Sequence, residues 1–258
     1  DLPEPDAPTM ATESPDLISR VIPFSISSSA PAMGTRFWRF SVLIMQASFY
    51  RLIRLAGLIG LLLLANASQA RAVQPTTILV LGDSISAGYG MSLEQGWVAL
   101  FAGELATSYP QYHVVNASIS GETTGGGLRR LPELLSEHQP GLVVIELGGN
   151  DGLRGFPINA LRDNLRQLAS LSIEGGARVI LVPIAIPPNY GRRYTSAFSQ
   201  SYQQVAEETG SIRAPVIIDG VATDPTLMQP DGIHPTAEAQ PLLLDNLRPT
   251  LMEVLAQP

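Results

Sequence analysis

From residue 76 onward, apolar and polar positions settle into two alternating rhythms. Residues 77–81 form a short apolar, β-branched run that stops at Gly82, the pattern of a strand buried on both faces of a parallel sheet. Trp97, Leu100, Phe101 and Leu105 then recur at helical spacing and predict a helix over 95–108. The alternation continues with a strand at 113–116 and a helix through Leu128, Leu131, Leu134 and Leu135 that breaks before Pro140. The most apolar strand follows at 142–147, then a helix from Ile158 through Leu161, Leu165 and Leu168 to about residue 173. A strand at 179–183, a helix at 196–209, a strand at 216–219 and a helix over 237–255 complete the chain. Strand and helix alternate five times, with short connections and no internal repeat. This predicts the α/β class: a three-layer sandwich in which an open five-stranded parallel sheet carries helices on both faces, joined by right-handed crossovers.

The residues before this do not share the rhythm. Residues 1–31 are polar and rich in Pro and Ser. Arg51 and Arg54 precede an apolar run over 55–65, and Asn66-Ala67-Ser68-Gln69-Ala70-Arg71-Ala72 sets small residues at A-x-A spacing. A basic start, a short apolar core and small residues describe a secretory signal peptide, too short to span a bilayer comfortably. The chain therefore reads as three parts. Residues 1–44 are an extension, upstream of a start at Met45 or Met33, with no assigned fold or function. Residues 45–72 are a signal peptide cleaved after Ala70 or Ala72. Residues 73–258 are one domain, periplasmic or secreted, with no stable membrane anchor.

Composition narrows the chemistry. Cysteine is absent, which removes disulfides, thiolate metal sites and a thiol nucleophile. Lysine is absent too; all 16 positive charges are arginine, so no phosphate-cradling loop of the Walker type can be built, and the run Gly125-Gly126-Gly127 is not read as one. The three histidines, His113, His138 and His234, are far apart and lack ligand spacing, so neither a metal nor any other cofactor is expected. Residues 73–258 hold 10 Arg against 18 Asp plus Glu, a net charge of −8, which argues against nucleic acid as a partner.

Four short motifs remain, in one order. They are Gly82-Asp83-Ser84-Ile85, Ser120-Gly121-Glu122-Thr123, Gly148-Gly149-Asn150-Asp151 and Asp231-Gly232-Ile233-His234-Pro235. Each alone reads as a turn. The first three follow predicted strands one, two and three, and open α/β sheets bind ligands outside the carboxyl ends of their strands. Together they offer a serine, a backbone amide unobstructed by a side chain, a side-chain amide, and an Asp three residues before a His. Those are the parts of nucleophilic acyl transfer: nucleophile, oxyanion donors, base and orienter of the base. The segment Gly82-x-Ser84-x-Ser86 lacks the last glycine of a G-x-S-x-G nucleophile elbow, so the α/β-hydrolase arrangement is not indicated.

Gly82-Asp83-Ser84-Ile85, Gly121, Gly148-x-Asn150-Asp151 and Asp231-x-x-His234 resemble blocks I, II, III and V of the GDSL, or SGNH, hydrolase family. The stretches from Val143 to Gly155, Pro187-Pro188-Asn189-Tyr190-Gly191, and Met228 to Pro235 are similar to its secreted bacterial branch of acyl-thioester hydrolases, lysophospholipases and arylesterases. The resemblance implies a flavodoxin-like SGNH fold, with Ser84 as nucleophile, His234 as base and Asp231 as its orienter. It implies an oxyanion hole formed by the amides of Ser84 and Gly121 and the side chain of Asn150. It also implies that Pro187, Pro188 and Tyr190 border the substrate groove. Glu122 departs from the branch, which has Asp there, and residues 219–229 are short and lack aromatics.

The expected activity is a cofactor-free serine esterase acting through an acyl-enzyme on Ser84. Its partner is a small-molecule ester or thioester with an acyl chain. One alternative is a carbohydrate deacetylase on the same fold, which calls for a shallow polar groove. The other is a non-catalytic lipid-binding module. Ile184, Ile186, Pro187 and Pro188 near the rim favour the lipid-like substrate.

Overall fold

The computed structural model describes residues 76–256. The signal peptide over 45–72 and the extension over 1–44 lie outside them.

Five parallel strands form one sheet in the order β2-β1-β3-β4-β5: β1 Thr76–Gly82, β2 Tyr112–Asn116, β3 Leu142–Glu146, β4 Arg178–Leu181 and β5 Ile212–Arg213. The central strands are sealed on both faces: Ile78 to Leu81 in β1 and Leu142 to Ile145 in β3 are wholly buried, which is why they read as unbroken apolar runs. The helices are α1 Ser84–Ala87, α2 Trp97–Ser108, α3 Thr124–His138, α4 Gly149–Leu153, α5 Ile158–Glu174, α6 Arg192–Thr209 and α7 Gln240–Ala256.

The strand order puts the reversal of chain direction across the sheet between β1 and β3. Right-handed crossovers then send α2 to one face and α3, α5 and α6 to the other. Accordingly α2 packs with α7, while α5 packs between α3 and α6. The apolar stripe of α5 (Leu161, Leu165, Leu168) and that of α6 (Phe198, Tyr202, Val205) are buried there, and Trp97 and Phe101 seal the α2 side. Ligands of such sheets bind where the order reverses. Here that point lies beyond the carboxyl ends of β1 and β3, where Ser84 and Asn150 stand.

Two boundaries differ most from expectation. The fifth strand is Ile212–Arg213, not 216–219. Pro215 has no N–H to give to a ladder, and the chain then coils, with Asp219 N–H donating to the Val216 carbonyl at 3.1 Å. Ile217 and Ile218 are buried all the same, so their apolar character reports burial in a turn. Helix α6 starts four residues earlier than 196, because its first turn, Arg192 to Thr195, carries no apolar period to announce it.

Candidate active site

Ser84 opens α1 one residue past β1. Asp83 caps that helix, its Oδ1 accepting the Ile85 amide at 3.0 Å. As the first helical residue, Ser84 has an amide with no intrahelical acceptor. The motif around Asp231 supplies the partner. Asp231 Oδ1 accepts the amides of Ile233 at 2.9 Å and His234 at 3.0 Å, which winds the loop so that the imidazole comes back over the carboxylate. His234 Nδ1 then lies 2.7 Å from Asp231 Oδ2, and Nε2 lies 2.9 Å from Ser84 Oγ. Those bonds hold the Asp231 carboxyl down at about 2, the bond with the His234 ring first, then the two amides. An ionised carboxylate accepts only. The proton on Nδ1 is therefore pinned there, and Nε2 is left to accept from Ser84.

Asn150 stands in α4, directly after β3. Gly148 precedes it with φ 120° and ψ −18°, in the region that favours glycine. A Cβ at Gly148 would also meet the Tyr202 hydroxyl at 2.4 Å, so close packing of α6 against this turn excludes any larger residue. The Asn150 Nδ2 donates to Asp83 Oδ2 at 3.1 Å, which leaves its second amide hydrogen available. Gly121 occupies the third position of a turn closed by Glu122 N–H donating to the Ile119 carbonyl at 3.0 Å, with φ 80°, the position that favours glycine. Its carbonyl is held by Arg154 Nη2 at 3.1 Å. Among the described residues the Gly121 amide has no acceptor. Glu122 is committed elsewhere: it pairs with Arg130, Nε to Oε2 at 3.1 Å.

Ser84, Asn150 and His234 open together onto a groove of about 510 Å³, whose apolar walls include Leu153, Ile184, Ile186, Ile218, Met228 and Ile233. Pro187 and Pro188 line it as well. Tyr190 does not: it borders a neighbouring hollow with Arg192, Arg193 and Tyr194, and its hydroxyl donates to the Leu153 carbonyl at 2.6 Å. Gly121 is also not part of the groove wall.

Three acids to which the sequence motifs assigned no role also shape the site. Asp83 is 2 % exposed, and burial lifts its carboxyl to about 6. Glu146 ends β3 wholly buried. Its Oε2 accepts from Ser86 Oγ at 2.7 Å and lies 3.4 Å from the Asp83 amide, and burial, then the Asp83 charge, pushes it well above the usual carboxylate range. Asp151 ties α4 to α3, accepting from Thr124 N at 2.9 Å and Thr124 Oγ1 at 2.5 Å. The signal for Glu146 was plain: an acid inside the most apolar strand is costly unless it is bonded or neutral. Among the described residues no His, Asp and Glu side chains gather in threes as around a metal ion.

The chain is similar to known proteins. The chain is 49 % identical over 205 residues to esterase TesA of Pseudomonas aeruginosa, covering 80 % of this chain and all of that protein. It is 46 % identical over 175 residues to the thioesterase 1/protease 1/lysophospholipase L1 of Escherichia coli, covering 68 % of this chain and 83 % of that one. The crystal structure of a psychrotrophic esterase, EstA from Pseudoalteromonas sp., inhibited by monoethylphosphonate, superposes with a TM-score of 0.68 at 43 % identity, covering 70 % of this chain and 98 % of that one. The profile of one family matches residues 80–241, spanning all four motifs, and the chain belongs to it: the GDSL-like lipase/acylhydrolase family.

Proposed function

We propose that this protein is a serine esterase that hydrolyses carboxylic esters and acyl thioesters of lipid-like or aryl alcohols through an acyl-enzyme on Ser84. One observation carries the reading: Ser84 Oγ, 2.9 Å from His234 Nε2, faces an apolar groove, while the same imidazole is held by Asp231 at 2.7 Å. Ser84 Oγ attacks the carbonyl carbon as its proton passes to Nε2. The ring then carries a positive charge beside the Asp231 carboxylate. The oxyanion meets the amides of Ser84 and Gly121 and the free hydrogen of Asn150 Nδ2, each donor contributing roughly 3 kcal/mol to lowering the barrier. His234 protonates the departing alcohol or thiol. Water, deprotonated by the same nitrogen, attacks the acyl-enzyme; the acyl–Oγ bond breaks, the acid leaves, and His234 returns the proton to Ser84 Oγ.

The apolar wall supports an acyl chain in the groove rather than a sugar, whose hydroxyls would find few partners there. Asp1–Ile44 has no part in this reading. The basic-then-apolar sequence of residues 45–72 supports export, with the working domain over 73–258 in the periplasm or the medium.

The test is a chain-length series of p-nitrophenyl esters, acyl-CoA thioesters and lysophospholipids, run on the wild type and on Ser84→Ala. Expected is turnover of all three classes by the wild type and loss of at least about a thousandfold in Ser84→Ala, with an unchanged melting temperature. Ester hydrolysis persisting near the wild-type rate in that variant rules the nucleophile out.

A further inference from the structure

His234 stands on a solvent-facing loop: Asp231, Gly232 and Ile233 before it are all exposed. The bonds to Asp231 and Ser84 fix its two ring nitrogens but do not by themselves set the tilt of the ring about the axis that joins them. The next contact is with its face. The ring of Tyr89 lies against the imidazole, with centroids 4.3 Å apart and planes tilted by 34°. Tyr89 is 49 % exposed, so core packing does not impose this contact.

The segment that carries Tyr89 is fastened to the histidine loop by one side chain. Gln229 Nε2 donates to the Tyr89 carbonyl at 2.8 Å and to the Pro235 carbonyl at 3.0 Å, and the Gln229 amide donates to the His234 carbonyl at 2.7 Å. Tyr89 and Gln229 are 140 residues apart in sequence, and both ring partners are thus held at their backbones by the same residue. The other groups facing the imidazole are the Asp231 carboxylate and the Ser84 hydroxyl, with the Asp83 carboxyl close enough to feel its charge.

We propose that Tyr89 is a positioning residue for His234: its ring stacks on the imidazole, holds it in the plane that serves Ser84 and Asp231 together, and offers a π face to the positive charge the imidazole carries during acyl transfer. A cation this near an aromatic face is stabilised, and the charge arises only as the reaction proceeds. Tyr89 therefore acts on turnover and not on substrate binding. The inference rests on the roles proposed above for Ser84 and His234.

The experiment compares Tyr89→Phe and Tyr89→Leu with the wild type on p-nitrophenyl butyrate, recording kcat, KM and melting temperature. It also records the rate at which a small p-nitrophenyl alkylphosphonate labels Ser84 with release of p-nitrophenol, a step that needs the activated nucleophile but no acyl groove. Phe keeps the ring and should keep kcat within about twofold. Leu should lose about 3- to 30-fold in kcat, with KM and melting temperature unchanged and the labelling rate falling in parallel. Normal turnover in the Leu variant overturns the proposal. So does an equal loss in Phe, which would assign the effect to the hydroxyl, and so does a change in KM alone, which would make Tyr89 a substrate contact. Ser84→Ala and His234→Ala run alongside separate the two levels. If either stays active, the underlying assignment fails; if both are dead and Tyr89→Leu is normal, only the Tyr89 inference fails.

Discussion

The Asn150 side-chain amide donates to Asp83 Oδ2 at 3.1 Å, so a carboxyl from the nucleophile's own motif aims the side chain proposed as an oxyanion donor. The other oxygen of Asp83 accepts the Ile85 amide at 3.0 Å and caps the helix that Ser84 opens. One buried acid thus sets the relative position of nucleophile and donor across the junction of β1 and β3.

Removing the donor and removing its support should differ in degree. Asn150→Ala is expected to lower kcat by roughly a hundredfold or more, with KM and melting temperature nearly unchanged. Asp83→Asn presents an amide NH2 or misplaces the cap, so it should lose a smaller part of kcat, about tenfold, again at constant KM. Steady-state kinetics with thermal melts decides this. If Asn150→Ala loses stability while keeping its turnover per folded molecule, Asn150 only completes the turn after β3.

The buried acids also set a pH dependence of stability. The Asp83 carboxyl is raised to about 6 in the fold against 3.8 unfolded, and Glu146 is raised well above 4.5. Each contributes stability that is fully present below its unfolded value and is lost as pH rises through its folded one. Melting temperature should therefore fall as pH rises from about 4 through 6 and beyond. Asp231, lowered to about 2, acts in the opposite sense, with stability lost as pH falls from 3.8 towards 2. Glu146→Gln keeps an acceptor for Ser86 Oγ without the titration. It should flatten the fall and melt higher than the wild type near neutral pH. Parallel profiles for the two proteins would show that Glu146 does not titrate in this range.

Groove shape should govern acyl length. Ala222 is an exposed small residue on the groove wall, so Ala222→Phe narrows the groove without disturbing the core. KM for long-chain p-nitrophenyl esters is expected to rise about tenfold or more, while acetate and butyrate esters are unaffected. Equal effects on short and long esters would mean that the chain lies elsewhere.

A chain starting at Val73 should fold with the melting temperature of the longer protein and retain its activity on short esters. An unfolded or inactive product would move the domain boundary upstream.

The alternation of strands and helices, the parallel sheet and the four motifs with their order follow from local properties of the chain. Burial on two faces leaves unbroken apolar runs such as 78–81, and packing on one face leaves periods such as Leu161, Leu165 and Leu168. Both are local signals that survive without coordinates. Ser84, Asn150, Asp231 and His234 could be singled out because each lies at a helix start or in a turn whose backbone demands, Gly148 above all, are written in adjacent residues. The remaining features depend on which distant segments meet. Strand β5 fell at Ile212–Arg213 because Pro215 ends the ladder and because burial does not distinguish a strand from a turn. Tyr190, adjacent in sequence to the groove-lining Pro188, turned to the neighbouring hollow once its hydroxyl found the Leu153 carbonyl. The Asp83–Glu146 pair, and the Tyr89 ring against His234, join residues 63 and 145 positions apart. No period or turn preference reaches across such separations, and only the closure of β1 against β3, and of the histidine loop against α1, brings those groups within bonding distance.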